Sequence, residues 1–165
     1  MKEPLTAEQS LALLRENASR LVSLTRDQPA RSLTLPPRPD EWSAHDVLAH
    51  LRACCDVWGG NIEKILAEEH ATFKGVNPRT WMRRTDYAEW PFEKAVRAFS
   101  AQRRALLRTL SELAPQEWER TAAVISYGQL SFERSVRSYA SQLARHERTH
   151  VRQVEDAIAA RAKKR

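Results

Sequence analysis

The stretch EWSAHDVLAHL, residues 41–51, carries the start of a long helix and its first buried positions. Ser43 is the expected N-cap, because a serine hydroxyl can accept a hydrogen bond from a free backbone N–H of the first turn. Asp46 stands at the third helical position and Trp42 is placed to contact Val47, which matches a capping box with a hydrophobic staple. Apolar residues then recur at helical spacing, at Val47, Leu51, Cys54, Trp58, Ile62 and Ile65.

The same helical spacing recurs on both sides of this segment, which we expect to end near Glu69. Three further amphipathic helices are predicted at about residues 7–26, 91–113 and 131–160. The chain has only four glycines, and alternation of the strand kind is almost absent from it. We therefore predict one all-α domain over residues 1–165, a four-helix bundle with a short basic tail at 161–165.

The segments between these helices are predicted to be irregular. Prolines in the first connection exclude a continuous helix, because proline lacks the backbone donor that a helix interior needs. Residues 70–90 are rich in Trp and Arg and suggest only one short helix, around 79–84. Residues 114–130 read as a loop with a brief extended piece at AAVIS, and Phe132 is assigned to the apolar face of the fourth helix.

Composition limits the class of protein. Hydrophobic residues make up 42% of the chain and charged residues 29%, which is typical of a globular protein and not of a disordered one. No apolar run is long enough for a membrane span, and the first residues lack the apolar core of a secretory signal. The two cysteines, Cys54 and Cys55, are adjacent, so a disulfide between them is not expected. We expect a cytoplasmic protein with no membrane partner.

The net charge of +6 and the pI of about 9.7 raise the question of a polyanionic partner. Basic residues are spread along the chain, and the one clear cluster is the tail RAKKR at 161–165. A solvated C-terminus accounts for such a tail without any partner. Charge alone is therefore too unspecific to predict nucleic-acid binding.

The most informative chemistry lies in RHERTHVRQ, residues 145–153. His146 and His150 are four residues apart, so they project from one face of the fourth helix. His50 lies at the edge of the apolar face of the second helix. In a bundle such edges face each other, and three imidazoles can then converge on one ion. The alternative is that each ring bonds a buried carboxylate, since a buried imidazole needs partners for its nitrogens.

Two motifs carry a resemblance to a known family. EWSAHDVLAHL at 41–51 and ARHERTHVRQVE at 144–155 are similar to the opening and closing histidine helices of the DinB/YfiT-like superfamily. The resemblance extends from about residue 6 to residue 160. It implies a four-helix bundle in which His50, His146 and His150 bind a divalent metal such as zinc or nickel, with a homodimer as the common assembly. Relatives in this superfamily include thiol-dependent S-transferases, so a low-molecular-weight thiol is an implied cofactor.

Four more residues are candidates for the pocket or for support of the metal ligands. Cys54 lies one turn beyond His50, although a helical cysteine there is more often a small core residue. Tyr139 lies two turns before His146 and would line the pocket or be an ordinary core tyrosine. Gln153 is placed to orient His150. Arg103 falls within an apolar stripe, where we expect a structural salt bridge or, as the alternative, recognition of an anionic substrate.

These observations lead to a metal-dependent enzyme acting on a small-molecule substrate. A site of three imidazoles leaves room for water or substrate on the metal, as catalytic zinc sites do. Thiol-dependent S-transfer is our first hypothesis and hydrolysis our second. The alternative is a non-catalytic bundle that serves as a binding or stress-response module. An enzyme requires a substrate-sized cleft beside the histidines, whereas a non-catalytic bundle predicts histidines closed off by other side chains.

Overall fold

Four long helices dominate the computed structural model, which describes residues 3–126 and 129–162. The last three residues of the basic tail lie outside this described part. Helix α1 (Ala7–Thr25) begins with the capping box of Thr6 and Gln9. The other long helices are α3 (Ala44–Cys54) with its continuation α4 (Gly60–Ala67), α6 (Phe92–Ser111) and α7 (Val136–Ala162).

The start of α3 has the predicted capping box. The Ser43 hydroxyl accepts a hydrogen bond from the Asp46 backbone N–H at 3.1 Å, and the Asp46 carboxylate accepts one from the Ser43 N–H at 2.9 Å. Between α3 and α4 the helix widens into a π-helical turn at Cys55–Gly59. A Cβ on Gly59 would stand 3.3 Å from the Cys55 sulfur, so the absence of a side chain there allows this close packing. Turns of this kind are frequent at functional sites.

A small sheet shows that the strictly all-α prediction was wrong. Strand β2 (Thr121–Ser126) pairs antiparallel with β3 (Gln129–Ser135) and parallel with β1 (Thr72–Lys74). The predicted extended piece is thus a full strand, and the fourth long helix begins at Val136 instead of 131. Phe132 accordingly lies on β3 with 49% of its surface exposed, and not on the buried face of a helix.

Two short helices also lie in the segments predicted to be irregular. Helix α2 (Ala30–Thr34) follows Pro29, and α5 (Pro78–Met82) has Pro78 in its first turn, where a missing N–H costs no helical hydrogen bond. Helix α5 overlaps the short helix that the sequence predicts around 79–84. It packs against α3, which brings the Trp- and Arg-rich segment beside the histidine helices.

The bundle core is divided into two hydrophobic clusters. Helices α1 and α3 each pack against both α6 and α7. One cluster surrounds Phe99 and Leu48, and the other surrounds Leu110 and Leu143. The polar side chains of α7 described below lie at the level between them. Within the described residues, no helix combines the length and the apolar character that crossing a bilayer requires.

Candidate metal centre

The structure brings together the three histidines that the sequence predicts as metal ligands. His50 comes from α3, and His146 and His150 come from successive turns of α7. Each ring offers one nitrogen to a cluster in which these atoms lie within 4.8 Å of one another. The Nε2 atoms of His50 and His146 are 3.4 Å apart. Two nitrogens that share a tetrahedral zinc ion at 2.0–2.1 Å are separated by about 3.4 Å, so the donor set fits a divalent metal.

All three imidazoles are held in the neutral form that can bind a metal. Burial is the main cause, because it disfavours the charged ring. It lowers the pKa of His50 to about 4 and that of His146 to about 4, and in both cases the neighbouring His150 adds to the effect. The pKa of His150 is also lowered, mainly by burial. At neutral pH no proton therefore competes with a metal for these lone pairs.

One hydrogen bond fixes the tautomer of a candidate ligand. The Nδ1 of His150 lies 2.8 Å from the Gln153 Oε1, which can only accept, so Nδ1 carries the proton and Nε2 keeps its lone pair. The Nδ1 of His146 is buried without a hydrogen-bond partner among the described residues. No described carboxylate bonds any of the three rings. The alternative prediction, in which each imidazole bonds a buried carboxylate, therefore does not agree with the described residues.

Two tryptophans pack against the histidine rings. Trp42, just before the N-cap of α3, meets the His50 ring edge-on at 5.1 Å between centroids and stacks at 6.1 Å from His150. Trp58, on the π-helical turn, contacts His146 edge-on at 5.0 Å. These contacts restrict ring rotation and keep water from the buried side of the cluster. The sequence places both tryptophans on the α3 segment but does not assign them to the site.

A cleft of about 860 Å³ opens beside the cluster. His150 lines it, whereas His50 is 3% exposed and lies behind. The volume is that of a site for a small molecule. The other lining residues come from the α2–α3 connection, from α5 and from α7: Pro37, Arg38, Asp40, Glu41, Trp42, Arg79, Gln153, Asp156, Ala157 and Ala160. Sequence reasoning missed Arg79, and the only signal for it was the Arg- and Trp-rich composition of residues 70–90.

Cys54 lies against His50, but its sulfur is not oriented to bind the same metal ion as the His50 ring. Its sulfur is 3.4 Å from Nε2 and 4.0 Å from Nδ1 of the ring. A sulfur on the outward axis of Nε2 would be much farther from Nδ1, so the thiol packs on the ring instead. Burial raises the pKa of the Cys54 thiol, which keeps it protonated. Cys54 is therefore a neighbour of the ligand ring, in the small core position that its sequence context also allows.

The two remaining candidates lie away from the cleft lining. Arg103 is 1% exposed and bonds the buried Glu147, with 3.0 Å between Nη2 and Oε1, which is the expected structural salt bridge. Tyr139 is 3% exposed, and its ring packs 6.0 Å from that of Phe73 and beneath the Arg134 guanidinium. These contacts place it in the core near the sheet.

Comparisons with known proteins agree with this architecture. A family model described as the DinB superfamily matches residues 13–154. Among solved structures, YfiT from Bacillus subtilis, described as a probable metal-dependent hydrolase with an unusual four-helix bundle topology, superposes with a TM-score of 0.78. The match covers 95% of this chain and 90% of that one at 14% sequence identity, so it shows a common fold. No curated protein matches the chain.

Proposed function

The chain belongs to the DinB superfamily, and we propose that it is a metal-dependent hydrolase of small molecules. The strongest support for this proposal is the cluster of neutral imidazoles at the spacing of metal ligands, in which His150 faces a cleft of about 860 Å³. The description of YfiT as a probable metal-dependent hydrolase supports hydrolysis as the reaction class. The open cleft favours an enzyme over a non-catalytic module, whose histidines would be closed off.

In this proposal His50, His146 and His150 hold one divalent ion, with zinc or nickel as the candidates. Nitrogen ligands suit both metals, and cellular supply decides between them more than ligand type does. The bound ion would supply Lewis acidity, which can lower the pKa of water to about 7. Three protein ligands leave a position for such chemistry, as in catalytic zinc sites.

The side chains around the histidines have supporting roles. Gln153 accepts the Nδ1 proton of His150 and so presents Nε2 to the ion. Trp42 and Trp58 fix the planes of the rings that they contact. His150 lines the cleft and the buried His50 lies behind it, so we expect substrate and water to approach the metal from the His150 side.

Thiol S-transfer remains the second candidate, as the family resemblance implies. The same neutral imidazole site could hold a thiol as its reactive thiolate. The described residues offer no contact specific to a thiol, and the two cysteines are buried inside the chain. Hydrolysis therefore stands first, and both reactions are tested on the same protein.

The experiment is elemental analysis of the untagged protein together with His146→Ala and His150→Ala. We expect about one divalent ion per chain in the parent and a loss of affinity of at least about a hundredfold in each variant. The exposed His70 supplies the matched control, His70→Ala, which should retain the metal. The loaded protein is then assayed with ester and amide panels, and with thiols plus electrophiles. A parent that takes up neither zinc nor nickel would exclude the proposal.

A further inference from the structure

Arg79 brings a positive charge to the cleft without a negative partner of its own. Its exposed side chain has no hydrogen bond or ion pair among residues 3–126 and 129–162. Its described contact is with Trp42, where the guanidinium carbon lies 4.9 Å from the ring centroid. The other arginine of the cleft differs, because Arg38 donates to the Glu41 carboxylate at 2.8 Å. Among the described residues that line the cleft, Arg79 is therefore the cation left available to a ligand.

The position of Arg79 is set by its short helix. The side-chain oxygen of Asn77 accepts the Arg79 backbone N–H at 2.8 Å, and this bond caps α5. On the same helix the Trp81 indole donates to the Asp56 carboxylate at 3.0 Å, which ties α5 to the π-helical turn. Trp42, beneath the guanidinium, also packs against His50. The backbone of Arg79 is thus fixed beside the histidine cluster, and its side chain contacts Trp42 in the wall of that cluster.

The charge of Arg79 lies beside the histidine cluster. Arg79 and His150 line the same cleft, and the Trp42 ring that contacts the guanidinium also stacks at 6.1 Å from the His150 ring. A divalent ion at the histidines would place a second positive charge near Arg79, and like charges disfavour each other unless an anion lies between them. Three carboxylates, Asp40, Glu41 and Asp156, line the same cleft, but in the described part of the chain none of them forms an ion pair with Arg79. An anionic group of a ligand would supply that partner.

We propose that Arg79 binds an oxyanion group of the substrate, a carboxylate or a phosphate, and orients the rest of the molecule toward His50, His146 and His150. This inference rests on the proposed function and names its substrate class. A guanidinium suits the role because its planar set of donors matches the two oxygens of such a group. The Trp42 side chain, whose ring centroid lies 4.9 Å from the guanidinium carbon, has no acceptor atom for the guanidinium N–H groups, so these donors remain for the ligand.

The test measures binding of two probes, acetate and inorganic phosphate, by calorimetry. Both are titrated into cobalt-loaded and metal-free forms of the parent, Arg79→Gln and Arg83→Gln. Arg83 is the control because it follows the same short helix, is exposed and does not line the cleft. We expect Arg79→Gln to weaken the preferred probe by about tenfold to a hundredfold, and Arg83→Gln to leave it unchanged. The tighter probe identifies the group as carboxylate or phosphate.

The outcomes separate this inference from the proposed function. Equal affinity of the parent and Arg79→Gln for both probes would overturn the role of Arg79, while retained cobalt would leave the metal centre intact. Arg79→Gln should bind cobalt at least as tightly as the parent, since a neighbouring positive charge is removed. A parent that binds none of cobalt, zinc and nickel refutes the proposed function. Anion binding to the metal-free chain that depends on Arg79 would then still support the oxyanion site.

Discussion

Two neighbouring residues of α7, His146 and Glu147, have opposite surroundings. Successive residues on a helix point about 100° apart, so they face different parts of the bundle. His146 turns toward His50 and the cluster beside the cleft, with its Nε2 3.4 Å from that of His50. Glu147 is fully buried and turns toward Arg103 on α6. Glu147 has an oppositely charged partner inside the chain, whereas His146 belongs to a cluster of uncharged rings that could hold a metal ion.

The contrast shows how to distinguish a structural polar group from a functional one. The charges of Arg103 and Glu147 compensate each other at 3.0 Å, and the guanidinium also lies 3.8 Å from the Cys55 sulfur. The charges of this pair are matched within the chain, although Oε2 of Glu147 has no hydrogen-bond partner among the described residues. The two facing imidazole nitrogens, 3.4 Å apart, belong to uncharged rings, and a shared divalent ion could be held by both lone pairs. A buried ion pair that is matched in charge is therefore read as structural, and a cluster of uncharged nitrogen donors as a candidate ligand set.

The largest expected effect comes from breaking the buried ion pair of Arg103 and Glu147. Arg103→Met leaves the Glu147 carboxylate buried without its partner, and we expect a loss of about 3 to 5 kcal/mol in the free energy of unfolding. Urea denaturation followed by circular dichroism measures this loss. The matched control is Arg137→Met, because Arg137 and Glu119 form an ion pair at the same 3.0 Å but on the surface. That control should lose less than about 1 kcal/mol.

A double variant sharpens the same prediction. Adding Glu147→Leu to Arg103→Met removes the unpaired charge, and an apolar pair of this kind is often as stable as the ion pair it replaces. We therefore expect the double variant to be more stable than Arg103→Met alone. A double variant that is less stable than Arg103→Met would mean that Glu147 has a role apart from Arg103.

The second effect concerns the histidine cluster and the hydrogen bond from His150 to Gln153. Gln153→Leu removes the acceptor that holds the Nδ1 proton of His150, while the size of the side chain changes little. Loss of such a partner weakens metal affinity by about tenfold to a hundredfold in comparable sites. Competition with a chromophoric chelator measures the change. Gln142→Leu, on an earlier turn of the same helix, is the control, and equal affinities of the two variants would contradict the role of Gln153.

The local features of this contrast are predictable from sequence. The Ser43 cap, the direction of His50 and the spacing of His146 and His150 all follow from the geometry of one helix. Once a helical bundle is assumed, the edges of α3 and α7 that carry the histidines are expected to face each other. The structural salt bridge of Arg103 was also expected, because an unpaired charge within an apolar stripe is too costly.

The features that depend on distant parts of the chain were not predictable. Phe132 fits the helical spacing of α7, but pairing of its strand with β2 decides its conformation and exposes it. Arg79 reaches the cleft because α5 packs on α3 and because Trp81 bonds Asp56, a contact between residues far apart in sequence. The local sequence pattern of residues 70–90 does not indicate that α5 packs on α3 or that Trp81 bonds Asp56. The proposed substrate-binding residue, Arg79, was thus harder to predict than the candidate metal ligands.

The smallest expected effect is a pH dependence of stability that comes from His50 and not from the Arg103–Glu147 pair. The pKa of His50 is lowered from 6.5 to about 4 in the folded chain. Between these values the unfolded chain binds a proton that the folded chain does not, so stability falls as the pH is lowered through this window. For the metal-free chain in chelator, we expect the parent to lose about 1 to 2 kcal/mol more than His50→Gln between pH 7 and pH 5. Because Arg103 and Glu147 are present in both proteins, their contribution cancels in the difference of urea midpoints. Equal losses in the two proteins would mean that the folded chain accepts the proton on His50, and that its ring is not held neutral for a metal.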